Sequence, residues 1–297
     1  GEMEVGENKT VYEGTLDQLY NEDFEKFIAY SRQDVALLAK LDDKLKFIDL
    51  ANVLAHANTV LLQTTMGAVA VTEQAIVNEA HKRGLIIPNR PYREPHSSGA
   101  AVGAYVATPK KGLHDWIASI DINSLYPSVI RCLNMGPETI VGQLRPTHTE
   151  KYINNKIKNE KKSAADAWEG MFGTLEYTAV MEQDRGTEII VDFEDGTTEQ
   201  MSGAEVYAII FHQNQGWCLS ANGTIFNTST KAVIPGLLER WFAERKVLQG
   251  KMREAIANGD KAEVEFWDKR QLVKKINLNS LYGAILNPGC RFFDQRI

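Results

Sequence analysis

Asp121-Ile122-Asn123-Ser124-Leu125-Tyr126-Pro127-Ser128 follows the apolar run Trp116-Ile117-Ala118-Ser119-Ile120 and changes character at once. The run, read through Ile122, predicts a strand. Pro127 suits the first turn of a helix, where its missing N–H needs no partner. Strand, tight turn and helix is therefore the local expectation. A carboxylate at such a junction has a chemical use. Asp121 can hold Mg²⁺, a hard ion that takes one or two protein carboxylates and completes its shell with phosphate oxygens. The backbone N–H groups of the turn and helix start can cradle a triphosphate. Phosphoryl transfer needs both at one point. The competing reading is an ordinary strand–turn–helix with a capping Asp, and Asp121 alone leaves the two about level.

Downstream, Pro235 opens a helix carrying Leu237, Leu238, Trp241, Phe242 and Val247 to about Ala257. Asn258-Gly259-Asp260 is a turn, and a second helix runs from about Lys261 to Leu281. This is an αα-hairpin. Its second helix holds Lys275-Ile276-Asn277-Leu278-Asn279-Ser280-Leu281-Tyr282-Gly283. Lys275, Asn279 and Tyr282 stand at i, i+4 and i+7, so they form one stripe. Gln271 extends it one turn earlier, with Arg270 and Lys274 beside it. A cation, an amide and an aromatic on one face suit a nucleotide. Taken alone, such a stripe is more often a solvated face or part of a core.

Upstream, Asp23 caps a predicted helix through Phe24, Phe27, Ile28, Val35, Leu38 and Leu41. A second helical run, about Leu45–Leu62, follows without a strong break. A third covers about Thr72–Arg83, with Gly84 placed to end it. The stretch from Pro88 to Gly112 is rich in Pro and Gly and marks a candidate domain boundary. Between that boundary and the hairpin, two β-hairpins are expected. One joins Thr187–Phe193 to Thr197–Met201 around Glu194-Asp195-Gly196; the other joins Trp217–Ser220 to Thr224–Asn227 around Ala221-Asn222-Gly223. Glu150–Lys162 is polar and reads as an exposed helix.

Length and composition set the outer bounds. A chain of 297 residues, 43% hydrophobic and 24% charged, is one large globular domain or two ordinary ones. Cys132, Cys218 and Cys290 are odd in number and widely spaced, which suggests neither a disulfide framework nor a zinc site. The apolar stretches fall short of a membrane span and the acidic N-terminus shows no signal peptide, so a cytoplasmic setting without membrane is expected. The net charge of −6 divides unevenly: Leu237–Ile297 has 12 Lys/Arg against 8 Asp/Glu, a net of +4, leaving −10 for the remainder. A phosphate-handling region belongs in that basic quarter. Charge scattered over helix surfaces is the plainer account, and charge alone favours it.

The two motifs carry a resemblance. Asp121-x-x-Ser124-Leu125-Tyr126-Pro127-Ser128 resembles the first polymerase motif of B-family DNA polymerases. Lys275-x-x-x-Asn279-Ser280-x-Tyr282-Gly283 resembles the family's fingers motif, 154 residues later (275 − 121). Tyr30-Ser-Arg-Gln-Asp34 is similar to the third exonuclease motif, Tyr-x-x-x-Asp. Ala243-Glu244-Arg245-Lys246 matches a helix that gives the triphosphate an Arg and then a Lys; here Gln249 stands at the Lys position, with Lys246 and Lys251 as substitutes. The family's template-contacting Tyr-x-Gly-Gly element has only a partial counterpart in Ala101-Val-Gly103-Ala104-Tyr105. Within the family the pattern most resembles T-even-type bacteriophage enzymes, which places it in the host cytoplasm. The resemblance covers nearly the whole chain, with 146–216 poorly anchored.

That resemblance implies an α+β fold. Residues 1–105 would be the helical end of a 3′–5′ exonuclease domain and linker, and 106–234 a partial palm with an antiparallel sheet. Residues 235–285 would be the αα-hairpin fingers, and 286–297 a return toward the palm. It implies Mg²⁺ on Asp121 and the Ile122 carbonyl, and a dNTP triphosphate on the backbone of Ser124, Leu125 and Tyr126. Tyr126 would exclude a 2′-hydroxyl. Arg245, Lys275 and Asn279 would meet the phosphates, Tyr282 and Gly283 the nascent base pair, and Tyr30 and Asp34 the exonuclease metals. The implied partners are primer–template DNA and dNTP. The family's second carboxylate motif, Asp-Thr-Asp, and the upstream exonuclease Asp-x-Glu are absent here. The chain alone is thus expected to be inactive, as a piece of a longer enzyme or the half of a split one completed by a C-terminal polypeptide. Two alternatives stand beside this: a non-catalytic DNA-binding or assembly module descended from a polymerase, and a primer-making or RNA-directed enzyme, against which the bulk of Tyr126 argues.

Overall fold

The computed structural model describes residues 1–90, 108–122, 124–159 and 175–297. The partial Ala101–Tyr105 element lies outside them. The chain forms two compact units, Gly1–Met66 and Gly67–Ile297.

The first unit is helical: α1 (Glu2–Val5), α2 (Leu16–Glu22), α3 (Phe24–Leu45), α4 (Phe47–Asn58) and a 3₁₀ turn at Leu62–Met66. Capping chemistry sets the starts. Thr15 and Gln18 form a reciprocal capping box on α2, and Asp23 accepts from Lys26 N at 3.0 Å on α3. The expected second helical run forms as α4, separated from α3 at Lys46, which adopts φ 54°. Asp42 Oδ1 accepts from Ile48 N at 3.0 Å across that break, a bond only the bent chain can make. The N-terminal segment is tied along α3 by Lys9–Asp34 at 3.0 Å, Lys44–Glu4 at 3.3 Å and the pair Glu7–Lys40.

In the second unit, α5 (Ala68–Lys82) ends before Gly84 at φ 71°. It is followed by α6 (Leu125–Cys132), β1 (Ile140–Leu144), α7 (Thr147–Asn159), α8 (Leu175–Met181), β2 (Glu188–Phe193) and β3 (Thr198–Ser202). Next come α9 (Gly203–Tyr207), which runs on into a π turn at Ala208–His212, then β4 (Trp217–Leu219) and β5 (Thr224–Asn227). The long pair α10 (Val233–Ala257) and α11 (Lys261–Ile285) completes it. The architecture is mixed: helices with one antiparallel sheet of order β3-β2-β1-β5-β4.

Both expected β-hairpins form. Gly196 and Gly223 each take φ 87° at their turns, a backbone region costly for other residues. The element that sequence periodicity missed is β1, the central strand. It is only five residues long, and Gly142 interrupts its pattern. That glycine is needed: a Cβ there would stand 2.8 Å from Asp192 O on β2.

The predicted strand Trp116–Ile122 does not form among the described residues. Trp116 takes φ 57°, and Ile117, Ile120 and Ile122 are exposed, Ile120 at 92%. The local sequence has strand character, but a strand is stabilised by pairing and a covered face. This run pairs with no strand of the sheet.

Two cores hold the unit. One collects Ile76 of α5, Ile130 of α6, Phe226 of β5, Leu238 of α10 and Leu281 of α11. The other packs α8 and α9 on the sheet through Val180, Val206, Ile189, Val191 and Ile225. Polar ties fix the first. Buried Asn134, at φ 54°, donates to Asn227 O and Thr230 O at 2.8 Å each and accepts from Ala232 N at 3.0 Å. It thereby joins the end of α6 to the start of α10, where Glu138 accepts from Val233 N at 2.7 Å. Glu79 of α5 meets Arg240 of α10 at 2.8 Å and Arg83 at 3.1 Å. No helix is long and apolar enough to cross a membrane among the described residues.

Candidate functional site

The start of α6 is built around Ser124, which sits at φ 55°, ψ 49° as the N-cap. Its carbonyl accepts the first helical bond, from Ser128 N at 2.9 Å. Pro127 is buried in the first turn, as expected. The N–H groups of Leu125 and Tyr126 precede the helical ladder and have no backbone acceptor among the described residues, the arrangement that suits an anion.

The ring of Tyr126 lies on the ring of Tyr282 of α11, centroids 4.2 Å apart and planes 10° from parallel. This contact brings the two sequence motifs together. Tyr126 remains 42% exposed, whereas Tyr282 is half-buried. Burial, and secondarily the neighbouring Tyr126, pushes the Tyr282 phenol above its ordinary range.

On α11, Val273, Asn277, Leu278, Leu281, Ala284 and Ile285 are buried. Lys275, Asn279 and Gly283 fall on the opposite face and are exposed. Open space surrounds the position a Cβ would take on Gly283. The stripe is thus a solvent-facing one whose last aromatic turns in to stack.

Arg245 faces α11 and donates from Nε to Gln271 Oε1 at 3.3 Å. Gln271 in turn donates from Nε2 to Asp268 Oδ1 at 2.8 Å. Sequence reading placed Gln271 on the stripe but missed its pairing; the i, i+3 spacing of Asp268 and Gln271 is the signal that was available. Of the two candidates to replace the missing Lys, Lys246 sits over the Phe242 ring at 4.6 Å and Lys251 over the Trp267 ring at 4.4 Å.

Asp121 and Ile122 lie in the extended segment before Ser124, both exposed. No hydrogen bond or ion pair ties Asp121 to another described residue. Its oxygens suit Mg²⁺ in the mode of one carboxylate plus phosphate oxygens. No group of three or more His, Cys, Asp or Glu side chains that could hold a metal occurs among the described residues.

In the first unit, Tyr30 and Asp34 are together one turn apart on α3. The hydrogen bond from Lys9 is the main cause that holds the Asp34 carboxyl below its usual range. Hydrogen-bonding proximity to Asp34 chiefly pushes the Tyr30 phenol up. Asp34 Oδ1 is buried without a hydrogen-bond partner among the described residues. The Tyr12 ring meets Tyr30 edge-on at 5.1 Å.

The sequence pattern of DNA polymerase family B matches residues 59–293. The chain belongs to DNA polymerase family B. It is 24% identical to the DNA-directed DNA polymerase of Escherichia phage RB69 over 310 aligned residues, which cover 99% of this chain and 32% of that one. It is 26% identical to the DNA-directed DNA polymerase of Enterobacteria phage T4, again over 99% of this chain and 32% of the relative. DNA polymerase 2 of Aeropyrum pernix is 31% identical over 48% of this chain and 17% of its own length. The chain spans about a third of the length of the phage relatives it matches.

Proposed function

We propose that this chain carries the nucleotide-binding part of a template-directed DNA polymerase, acting on primer–template DNA and dNTP in the cytoplasm of a phage host. The observation that carries the reading is the Tyr126–Tyr282 stack, which sets the helix start after Asp121 beside the Lys275–Asn279 face. Family membership supports the reaction type. In this reading 106–234 is a partial palm, 235–285 the fingers and 286–297 a return toward the palm. Residues 1–105 are the end of an exonuclease domain, with Tyr30 and Asp34 its remaining site residues.

The primer 3′-hydroxyl attacks the α-phosphate of a dNTP, the α–β bond breaks, and pyrophosphate leaves. Asp121 and the Ile122 carbonyl would hold Mg²⁺, which would neutralise charge on the phosphates when bound. The N–H groups of Leu125 and Tyr126, with the Ser124 backbone, hold triphosphate oxygens. Arg245, Lys275 and Asn279 take the remaining phosphate contacts. The Tyr126 ring, braced by Tyr282, lies under the sugar and leaves no room for a 2′-hydroxyl. Tyr282 and Gly283 line the base-pair pocket.

A described set with one carboxylate at the site makes nucleotidyl transfer dependent on a second carboxylate motif from a partner polypeptide or the rest of the enzyme. Primer extension tests this: with Mg²⁺ and dNTPs, extension is expected only when such a polypeptide is added, and lost in Asp121→Ala. Extension by the chain alone refutes the need for the second motif. If no mixture extends a primer and Lys275→Ala leaves dNTP binding unchanged, the chain is the non-catalytic module.

A further inference from the structure

We infer that Asp268 and Gln271 position the Arg245 guanidinium for a triphosphate while leaving its charge unneutralised, an inference that rests on the nucleotide site proposed above. Three polar groups form a directed chain. Arg245 can only donate and an ionised Asp268 can only accept. Gln271 lies between them, so its amide has one satisfactory orientation: carbonyl toward Arg245 at 3.3 Å, NH₂ toward Asp268 at 2.8 Å. The carboxylate thus sets the amide, and the amide sets the guanidinium. Only the Nε–H of Arg245 is used in this bond, and among the described residues no partner takes the terminal N–H fork, which is left for a phosphate.

The neighbouring cations divide by partner: Lys246 and Lys251 lie over aromatic rings and Arg270 donates to Phe266 O at 3.3 Å, whereas three others meet carboxylates. Lys274 meets Glu244 at 2.5 Å, Lys269 meets Glu265 at 2.8 Å, and Arg240 meets Glu79 at 2.8 Å. Arg245 is anchored through an amide and keeps its full charge. Asp268, Gln271 and Lys275 stand at i, i+3 and i+7 on α11, so the relay lies along the same face as Lys275 and Asn279. A carboxylate directly on Arg245 would give equal orientation but compete with the incoming phosphates.

The test is equilibrium titration of the full chain with Mg²⁺–dATP, with melting temperature followed in parallel. Gln271→Glu, which places a carboxylate on Arg245, is expected to weaken binding about tenfold, and Gln271→Met, which only releases Arg245, about threefold to fivefold. The salt dependence of binding should also flatten in Gln271→Glu, because one phosphate contact is withdrawn. Exposed Asp268 gives a second handle in case position 271 perturbs folding: Asp268→Ala should behave like Gln271→Met, and Asp268→Asn, which keeps an acceptor, should stay within about twofold of the parent. Equal affinities for Gln271→Glu and Gln271→Met, or unchanged binding in Asp268→Ala, overturn the relay. Lys275→Ala separates this from failure of the nucleotide site. Weakened binding there with normal Gln271 variants sinks only the relay, and unchanged binding in Lys275→Ala and Arg245→Ala alike sinks the site itself.

Discussion

Truncating Tyr126 and Tyr282 singly and together measures the contact on which the site depends. Their rings are near-parallel with centroids 4.2 Å apart, which leaves a lateral offset at normal stacking distance. Offset pairs of this kind contribute about 0.5–1.5 kcal/mol beyond the area they bury. Tyr126 is 42% exposed, so water competes for one face of the pair and the middle of that range is the fair estimate. The expected coupling between Tyr126→Ala and Tyr282→Ala is then about 1 kcal/mol, roughly a fivefold factor in the folding equilibrium. Urea unfolding of the parent, both single variants and the double variant gives it directly. Replacing Tyr126 by Phe should preserve the coupling, since the stack needs the ring and not the hydroxyl. A coupling below about 0.3 kcal/mol, the scatter of independent sites, would show that the rings do not meet in solution. The two motifs would then have no structural link, and the site built on them would fall.

Three further perturbations probe what holds the site in place. Asn134→Ala removes three hydrogen bonds from a buried position and strands the Ala232 N–H; a loss of about 2–4 kcal/mol is expected in urea, and less than about 0.5 kcal/mol would deny it a structural role. Gly223→Ala meets both a φ of 87° and Leu144 Cβ at 3.1 Å, so about 1–3 kcal/mol of destabilisation is expected from the same assay. Asp192 is held below its ordinary range, first by the hydrogen bond from Arg145, then by Thr198. Its folded form binds the proton more weakly than the unfolded chain. Its contribution is therefore present above the ordinary carboxylate range and is lost as pH falls below about 4. Asp192→Asn should reduce that acid dependence, and an unchanged acid limb in pH-dependent melting would contradict the assignment.

The helical hairpin and both β-hairpins were legible because local signals and tertiary context agree there. Asn258-Gly259-Asp260 separates two long periodic runs, and the Gly196 and Gly223 turns separate two pairs of alternating ones. Lys275, Asn279 and Tyr282 were legible as a stripe because helical spacing alone places them. The errors share one cause. Trp116–Ile122 is strand-like in composition, yet strand formation depends on a neighbour, which no local window contains. β1 is weak in composition, yet it is central because β2 and β5 flank it. The junction at Lys46 was legible as two runs but not as a sharp break, since the capping bond from Ile48 to Asp42 appears only once the chain has turned.

Charge shows how far counting residues can go. The stretch Leu237–Ile297 has a net charge of +4, which says only that phosphate could be handled there. The structure sorts those cations by what already holds them. Arg240, Lys269 and Lys274 are matched to carboxylates, the first and last across to another helix and Lys269 one turn away on its own. Lys246 and Lys251 lie over aromatic rings, a weaker hold that still fixes their direction. Arg245 is oriented by a neutral amide, and Lys275 stands exposed on the face opposite the core. On the nucleotide-site reading proposed above, an oriented but unpaired arginine beside an exposed lysine is what a phosphate would need, because a charge already paired is less available to it. The sign of the whole chain, −6, says less about such a site than the partners of individual cations do.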